Sequence, residues 1–481
     1  MAANILFILS DQHSYKIQGY AGNRIVRTPN LDRLAARGTV MRDCYAACPL
    51  CVPSRLSMLS GQYASSVRAL TNTVSLDSNT ATFVHSLNAN GYDTTLCGRM
   101  HFLGPDQRHG FTRRLVGDIT PTSYRRRQRT GVDALSWNRG RIEHLAIRCM
   151  GGGNSTVLEY DRDVAEAAEE YLRGTFERPQ FLCVGMYAPH FPYIAPPDLF
   201  DYYYDRVIIP EASFGGDEHP VFRGKLRDTD PETVRAAMAA YYGMVEFMDQ
   251  NIGRILEAWD AYLTRTGEEG IVIYASDHGD MNGEHGFYGK NTFFDASVHV
   301  PMIFAGTGIP EGKEICTPVS LLDLSPTVCE MAGAAHPPRQ DGKSIREMIC
   351  KDAVDEERVV VSELVNRFGV KSMGRMAKWK QYKYITFSGF DGQDQLFDME
   401  ADPFETGNLI SAYPWVAEKL SGVLDKMKAP QTVMAELDEQ EANLVQISGC
   451  REDAPEEWTC REGLAEDAPA PMISTKKEIS F

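Results

Sequence analysis

The sequence contains no apolar run long enough to span a membrane, and acidic residues outnumber basic ones. The formal net charge of -17 over 481 residues argues against nucleic acid or an anionic membrane surface as a general partner. An anionic substrate would therefore have to be attracted by a local basic patch or by a metal ion. The first residues, MAANILFILSDQ, lack the basic region of a signal peptide, and their short apolar run predicts a first strand instead.

Paired cysteine motifs are also missing. The 11 cysteines form an odd and irregularly spaced set, and Cys44, Cys48 and Cys51 give no paired zinc-ligand pattern. We therefore expect free thiols in a reducing compartment, which predicts a cytoplasmic location.

Length and composition indicate an ordinary globular protein that is too long for one simple core. Hydrophobic residues make up 43% of the chain and charged residues 24%, as in average globular domains. A chain of this length predicts a large domain with a smaller one appended to it.

Two continuous apolar runs each end in residues that can bind a metal ion. Residues 4–9 lead to Asp11 and Gln12, and residues 271–274 lead to Asp277 and His278. Such runs predict strands buried on both faces of a parallel sheet, and ligands gather beyond the carboxyl ends of such strands. The two pairs would converge if the strands are neighbours. A turn or helix cap is the alternative role for Asp11.

The segment from Cys48 to Gly61, CPLCVPSRLSMLSG, predicts a short helix. Pro53 suits the first helical position and Gly61 the C-terminal end. Cys51 would then lie at or just before the helix N-terminus, where unpaired N–H groups and the positive end of the helix dipole favour an anion. Arg55, one turn further on, would reach back to the same face.

Cys51 has three interpretations. It could be a buried structural cysteine, the commonest role of a free cysteine. A thiolate nucleophile of the tyrosine-phosphatase type is set aside, because that cradle places five residues between cysteine and arginine, and only Val52, Pro53 and Ser54 lie between Cys51 and Arg55. The third interpretation is a resemblance. CVPSR is similar to the C-x-P-S-R core of type I sulfatases, in which the cysteine is oxidised to formylglycine and its hydrate is the nucleophile.

Further segments resemble type I sulfatases and occur in the order of that family. TPNLDRLA at 28–35 is one, and GRMH at 98–101 resembles G-K-x-H with Arg99 in place of the lysine. APHFP at 188–192 is similar to the segment that carries the leaving-group acid. HGFYGK at 285–290 is similar to the segment whose lysine contacts sulfate. The longer run GRMHFLGPDQRHGF most resembles choline sulfatases.

The resemblance implies the α/β fold of the alkaline phosphatase superfamily, a mixed sheet sandwiched by helices with a small C-terminal antiparallel-sheet subdomain. QLFDMEADPFET at 395–406 is similar to a segment of sulfatase C-terminal subdomains. We expect a catalytic domain over residues 1–365 and an α+β subdomain over 366–428. An acidic tail over 429–481 would follow, either partly ordered or serving as an oligomerisation arm.

The resemblance also implies a metal site and a catalytic set. A divalent cation, Ca²⁺ with Mg²⁺ or Mn²⁺ as alternatives, would be bound by Asp11, Gln12, Asp277, His278 and the modified Cys51. The catalytic residues would be Cys51, Arg55, Arg99, His101, His190 and Lys290, with Asp277 as a candidate base.

Each catalytic side chain has a role by this resemblance. Arg99 and Lys290 would bind the sulfuryl oxygens and stabilise their charge in the transition state. Arg55 would orient the formylglycine. His190 would protonate the departing alkoxide, and His101 would take the proton of the second hydroxyl so that the aldehyde reforms.

Three segments have open roles. Asn72 lies in an N-T-V stretch like that of phosphonate monoester hydrolases, so it could contact the substrate or form a turn. The arginine-rich residues 108–148 are a solvated loop or a specificity insert. Arginines there favour a substrate with a second anionic group, such as a uronate or another sulfate, over choline, which needs an aromatic and acidic cage. The glycines at 151–153 predict a flexible turn.

The function implied is hydrolysis of a sulfate ester to an alcohol and inorganic sulfate, on a small or sugar-like anionic substrate. A phosphonate monoester or phosphodiester hydrolase would use the same site, and a binding protein without catalysis would leave Cys51 as a thiol. A phosphomutase-type transferase is disfavoured because it uses serine or threonine. The implied partners are a formylglycine-generating maturase and further copies of the chain, as a dimer or tetramer, with no nucleic acid and no membrane.

Overall fold

The fold is built on one large mixed sheet. The computed structural model describes residues 2–120, 146–147, 149–215, 218–225 and 227–449, together with the backbone of Met472–Ile473. The strands within these ranges are β1 (Asn4–Asp11), β2 (Gly38–Met41), β3 (Cys44–Tyr45), β4 (Asp93–Gly98), β5 (Arg113–Arg114), β6 (Met150–Asn154), β7 (Gln180–Pro189), β8 (Tyr193–Ala195), β9 (Gly270–Ser276), β10 (Met302–Gly306), β11 (Lys313–Ile315), β12 (Val319–Ser320), β13 (Val360–Asn366), β14 (Ser372–Trp379), β15 (Tyr382–Phe387), β16 (Gln395–Asp398) and β17 (Met472–Ile473).

Helices cover both faces of this sheet. Within the described ranges they are α1 (Pro29–Ala36), α2 (Cys51–Ser60), α3 (Phe83–Ala89), α4 (Thr156–Leu172), α5 (Pro197–Tyr204), α6 (Pro231–Thr266), α7 (Asp295–Val298), α8 (Leu324–Ala332), α9 (Arg346–Lys351), α10 (Pro414–Leu424) and α11 (Pro430–Ser448). No helix in these ranges combines the length and apolarity needed to cross a membrane.

The eight strands of the large sheet have the order β11-β2-β10-β9-β1-β7-β4-β5. Strand β1 is central and runs parallel to both β7 and β9, whereas β10 is antiparallel to β9 and β2. The alternation of β1 side chains explains the two layers of helices, because successive residues point to opposite faces. Phe7 and Leu9 pack with α2, α3 and α8, and Leu6 and Ile8 pack with α1, α4 and α6. The predicted mixed sheet between helices is confirmed.

A smaller antiparallel sheet follows, in the order β13-β14-β15-β16. Helix α10 covers one face of it, burying Val416 and Leu420 against strand residues such as Ala377. Helix α11 buries Val433 and Leu437 in a separate apolar cluster. The predicted C-terminal antiparallel sheet is therefore confirmed, and the division into 1–365, 366–428 and 429–481 stays a prediction.

Two local predictions were wrong. Glycines 151–153 do not form a turn but lie in β6, because that segment pairs with β8 and with β17, neither of which is near it in sequence. Pro53 occupies the third position of α2, since the helix begins at Cys51 after the extended Leu50. The arginine runs at 125–129 and 139–141 lie outside the described residues.

Candidate active site

The carboxyl ends of β1 and β9 meet at one edge of the sheet. Ser10 is paired with Ser276 in the register of the two strands, so that Asp11 and Asp277 follow side by side. The backbone N–H of Gln12 donates to Asp277 Oδ1 at 3.0 Å. All five residues are fully buried.

Helix α2 brings Cys51 to this edge. Its Sγ lies 3.8 Å from Asp11 Oδ1, 3.2 Å from His278 Nε2 and 2.9 Å from Lys290 Nζ. Burial raises the pKa of the Cys51 thiol, but Lys290 and His278 outweigh it and hold the pKa well below its ordinary value. Cys51 is also the first residue of a helix, a position that favours an anionic atom.

Four side chains point their ligand atoms at one place. The ligand atoms of Asp11, Cys51, Asp277 and His278 all lie within 4.8 Å of one another, and all four residues are buried. Burial raises the pKa of Asp277, and the nearby Asp11 raises it further. A divalent cation fits this donor set, because carboxylate oxygens and an imidazole nitrogen are ordinary metal ligands and the added charge would offset the repulsion between the carboxylates.

Gln12 contributes an amide group beside these four residues. Its Oε1 accepts a hydrogen bond from Lys290 Nζ at 2.8 Å, and its Nε2 donates to Asp280 Oδ2. The backbone of Gln12 has a φ of 71°, a left-handed conformation that is uncommon for a residue with a side chain. Both ends of the amide are therefore fixed at the strand end.

Arg55 joins the two acidic strand ends. Its Nε donates to Asp277 Oδ2 at 2.7 Å, its Nη2 to Asp11 Oδ2 at 3.2 Å, and its Nη1 to the Arg99 carbonyl at 3.0 Å. Burial would raise the pKa of Asp11, yet the guanidinium groups of Arg99 and Arg55 contribute to holding it below its ordinary value. Arg55 therefore keeps one carboxylate charged and fixes both.

The guanidinium of Arg99 is surrounded by acceptors. Its Nε donates to Asp11 Oδ2, its Nη1 to Asp118 Oδ1 at 3.3 Å and Thr120 Oγ1 at 3.2 Å, and its Nη2 to His101 Nδ1 at 2.9 Å. Four of the five N–H groups are thus paired inside the protein. Because arginine can only donate, the neutral His101 ring carries its proton on Nε2. Burial and Arg99 both lower the pKa of His101.

Asp118 fixes the segment that carries Arg99 and His101. Its Oδ2 accepts the backbone N–H groups of Met100 at 3.2 Å and His101 at 2.7 Å. These bonds hold His101 at a φ of 61°. Burial would raise the pKa of Asp118, but Arg99 and His101 hold it below its ordinary value. Sequence reasoning missed Asp118, since its partners include backbone N–H groups of an earlier segment.

His190 and Lys290 complete the surroundings of Cys51. His190 Nδ1 lies 2.7 Å from the Phe191 carbonyl, and His190 Nε2 lies 2.7 Å from Lys290 Nζ. Because the ammonium can only donate, His190 accepts at Nε2 and carries its proton on Nδ1. Burial and the charge of Lys290 lower the pKa of His190 to about 4.

Asn72 lies next to the start of α2. Its Oδ1 accepts the backbone N–H of Val52 at 2.9 Å, and its side chain is half-buried. The bond satisfies one of the free N–H groups at the helix N-terminus, directly after Cys51. Asn72 therefore supports the helix that carries Cys51, and its contact with a substrate stays a prediction.

Asp280 is a second residue whose role the sequence did not reveal. Its Oδ1 accepts the Tyr193 hydroxyl at 2.9 Å and the backbone N–H groups of Asn282 at 2.7 Å and Gly289 at 3.0 Å. Its other oxygen holds the amide of Gln12. Asp280 is the last residue of the sequence SDHGD at 276–280, but nothing in that segment indicates its distant partners.

The site as a whole places cationic side chains around the buried Cys51. Lys290 touches Cys51 directly, and Arg55 and Arg99 neutralise the carboxylates beside it. Fixed positive groups of this kind stabilise negative charge that develops during attack on an anionic ester.

Comparison with known proteins decides the family. The Sulfatase family model matches residues 3–334. The chain belongs to the sulfatase family. A second model, of the C-terminal part of N-sulphoglucosamine sulphohydrolase, matches residues 283–430 of this sulfatase. The protein is therefore a sulfuric ester hydrolase, which converts a sulfate ester to an alcohol and inorganic sulfate.

One relative agrees with this assignment, and two solved structures share the fold. The sulfatase is 33% identical over 435 residues to a choline-sulfatase of Rhizobium meliloti (strain 1021), covering 84% of this chain and 82% of that protein. Its fold matches a phosphonate monoester hydrolase of Agrobacterium radiobacter with a TM-score of 0.72 at 23% identity, covering 90% of this chain and 96% of that one. It also matches a structure solved with its substrate D-glucosamine-2-N,6-O-disulfate, with a TM-score of 0.71 at 19% identity over 92% and 99% of the two chains.

Proposed function

We propose that Cys51 becomes the nucleophile of this sulfatase after oxidation to formylglycine, and that the modified residue shares a divalent cation with Asp11, Gln12, Asp277 and His278. The observation that carries the proposal is the convergence of four buried ligand atoms within 4.8 Å, with Lys290 in contact with Cys51. Ca²⁺ is the proposed ion, with Mg²⁺ or Mn²⁺ as alternatives, since the set is rich in carboxylate oxygens.

The cation would supply Lewis acidity, which lowers the cost of ionising a hydroxyl of the formylglycine hydrate. Lys290 would bind the sulfuryl oxygens, because its Nζ lies between Cys51 and His190. Arg99 would offer its remaining N–H group, while Arg55 holds the strand ends and orients residue 51. Charge stabilisation by such fixed donors is worth about 10²–10³ in rate for each donor.

Proton transfer falls to three residues in this proposal. His190 would protonate the departing alkoxide from Nε2, and for that step Nε2 has to gain a proton from Lys290 Nζ, which now donates a hydrogen bond to it. Asp277 is the candidate base for the attacking hydroxyl. His101 would take the proton of the second hydroxyl, and for that step the ring proton has to move to Nδ1, which Arg99 Nη2 now contacts.

We infer a small or sugar-like anionic sulfate ester as the substrate. The likeness to a choline-sulfatase supports a small substrate, and the fold shared with a structure that holds a disulfated glucosamine supports a sugar-like one. The arginine-rich composition of residues 108–148 favours a second anionic group over choline. Sulfate release from choline sulfate, from glucosamine 6-sulfate and from glucosamine 2-N,6-O-disulfate would rank these classes, and preference for choline sulfate would overturn the anionic substrate.

A phosphonate monoester or phosphodiester hydrolase is the alternative that one observation favours, namely the fold shared with a phosphonate monoester hydrolase. Both activities use the same nucleophile and metal. The test compares kcat/KM for 4-nitrophenyl sulfate, 4-nitrophenyl phenylphosphonate and bis(4-nitrophenyl) phosphate in one preparation. The proposal expects the sulfate to be the best substrate, and a higher value for either phosphorus ester would contradict it.

Partners and location form the last part of the proposal. A formylglycine-generating maturase would act on Cys51, and the protein would be cytoplasmic and form a dimer or tetramer. The free state of all nine cysteines in the described residues supports a reducing compartment. Light scattering of the purified protein measures the oligomeric state, and a monomer at all concentrations would overturn that part.

A further inference from the structure

Strand β7 leaves the sheet ladder shortly before its end. Leu9 of β1 pairs with Gly185 of β7, but Asp11 pairs with Pro189. Three residues of β7, 186–188, therefore lie opposite a single residue of β1. An insertion of this kind is a bulge, which re-aims the side chains that follow it and removes N–H groups from the ladder.

Asp161 accepts the N–H groups that the bulge releases. Its Oδ1 accepts the backbone N–H of Tyr187 at 2.7 Å, and its Oδ2 accepts that of Ala188 at 2.8 Å. All three residues are buried, so water cannot take this place, and buried N–H groups need a partner. One carboxylate on α4 therefore fixes two successive peptide groups of β7.

The burial of Asp161 is itself unfavourable. Removal from water raises the pKa of Asp161 to about 7, against the opposing effect of the Tyr187 and Ala188 N–H groups. An apolar residue at this position of α4 would fit the core without that cost. The reason for a buried aspartate here therefore has to lie in the groups that its carboxylate binds.

Tyr187, whose N–H the Asp161 carboxylate accepts, in turn contacts His190. The backbone N–H of His190 donates to the Tyr187 carbonyl at 3.1 Å. The Tyr187 ring lies edge-on to the His190 ring at 4.9 Å between centroids, and it also stacks against the Arg99 guanidinium at 4.5 Å. A shift of the Tyr187 peptide would thus move the imidazole directly.

We propose that Asp161 is a positioning residue for proton transfer to the leaving group, because its two hydrogen bonds to the bulge of β7 set the place of His190. The inference rests on the proposed function, in which His190 is the leaving-group acid. Asp161 would act through its hydrogen bonds to the backbone of β7.

The test uses leaving groups of different quality. Phenyl sulfate needs protonation of its leaving oxygen far more than 4-nitrophenyl sulfate does, because phenolate is the more basic leaving group. Asp161→Asn cannot accept both N–H groups, since one of its terminal atoms is a donor. We expect kcat of the full-length enzyme to fall by about 10-fold or more on phenyl sulfate and by less than about 3-fold on 4-nitrophenyl sulfate.

Asp249→Asn is the matched control. Asp249 is also buried and also accepts two successive backbone N–H groups, those of Asn30 at 3.1 Å and Leu31 at 2.8 Å, but these lie in α1 and away from His190. Asp249→Asn should lower the melting temperature and leave the ratio of the two kcat values unchanged. Asp161→Ser, which keeps a single acceptor, serves as the second variant.

The outcomes separate the inference about Asp161 from the proposed role of His190. The His190→Ala variant should show the same leaving-group dependence, at about 10²-fold on phenyl sulfate. If His190→Ala shows it and Asp161→Asn does not, the inference about Asp161 is wrong and the proposed role of His190 stands. If neither shows it, the role of His190 is wrong. Failure of both Asp161 variants to fold, while Asp249→Asn folds, would assign Asp161 to the fold and overturn the inference.

Discussion

Arg99 takes the lysine position of the G-K-x-H motif that residues 98–101 resemble, and the structure shows what its additional donors contact. A lysine would place one ammonium group near Asp11. The arginine fork contacts Asp11 and extends to Asp118 as well, so the extra donors have a second carboxylate to bind. Arg99 and Asp118 also fix His101, because Arg99 contacts its ring and Asp118 accepts its backbone N–H.

The first prediction concerns Asp118. Asp118→Asn leaves part of the Arg99 charge uncompensated in the interior, so we expect the free energy of unfolding to fall by about 3 kcal/mol or more. Urea unfolding measures it. The control is Asp260→Asn, which breaks the exposed pair with Arg37 and should cost less than about 1 kcal/mol. Equal small effects of both substitutions would contradict the account.

Sequence patterns indicated the side chains that meet at the site better than the residues that hold them in place. Cys51, His190 and Lys290 lie in short motifs, and the structure brings them into contact. Asp118 and Asp161 act through backbone N–H groups on other segments, and no local pattern indicates which distant peptide groups need an acceptor.

Single backbone contacts decide how the elements around the site fit together. The turn after β9 brings Gly279 against α7, and a Cβ at Gly279 would lie 2.1 Å from the Ala296 carbonyl oxygen. The backbone N–H of Gly279 also donates to the Ser297 carbonyl at 2.7 Å. Gly279 directly follows His278, so this contact fixes the turn that carries two of the proposed ligands.

The second prediction is that Gly279→Ala destabilises the protein by about 1–3 kcal/mol and weakens divalent-cation binding, because the turn has to move away from α7. Titration calorimetry with Ca²⁺ and thermal unfolding measure the two effects. Gly422→Ala is the control, since a Cβ there meets no atom within 4 Å, and the substitution in helix α10 should be neutral or stabilising. Unchanged cation affinity in Gly279→Ala would contradict this view of the turn.

The third prediction concerns a short 3₁₀ helix, Pro220–Gly224, which His219 caps by accepting the Val221 N–H at 3.1 Å. Burial lowers the pKa of His219 from 6.5 to about 4. The unfolded chain therefore binds a proton that the folded chain does not, and stability is complete above pH 6.5 and is lost as the pH falls toward 4.

His219→Asn keeps an acceptor for the cap but removes the titrating ring. We expect the free energy of unfolding of this variant to fall less steeply between pH 6.5 and 4 than that of the parent, as followed by urea unfolding at several pH values. Identical pH dependence in the two proteins would contradict the buried neutral state of His219.

Element prediction succeeded where the signal was local and failed where it was not. The apolar runs of β1 and β9 are visible in the sequence alone. Strand β6 is not, because a glycine-rich segment becomes a strand only through pairing with β8. In the same way, the position of Pro53 depends on where the extended Leu50 places the helix start.

At the scale of the whole molecule, an acidic protein has to hold an anionic substrate. The net charge of -17 would repel a sulfate ester, so attraction has to come from the site itself. Arg55 and Arg99 balance the charges of neighbouring carboxylates. Lys290 is buried beside Cys51, where its field is screened less than at the surface. Asp11 and Asp277 are buried close to each other, so a bound cation would offset the repulsion between their carboxylates.

The fourth prediction is that Ca²⁺, Mg²⁺ or Mn²⁺ stabilises the folded protein. At a free concentration 100 times the Kd, the gain is about 2.7 kcal/mol, and it should appear as a higher melting temperature that EDTA reverses. Asp277→Asn should respond much less, whereas Asp260→Asn should respond like the parent. Absence of a shift with all three ions would contradict the metal site.

The central claim is that Cys51 is the precursor of the nucleophile, and one measurement tests it most directly. Active protein from its native host is digested, and the mass of the peptide that contains residue 51 is determined. The account predicts a peptide about 18 Da lighter than the encoded sequence, because the thiol has been oxidised to an aldehyde. An unmodified peptide from a preparation with full sulfatase activity would contradict it.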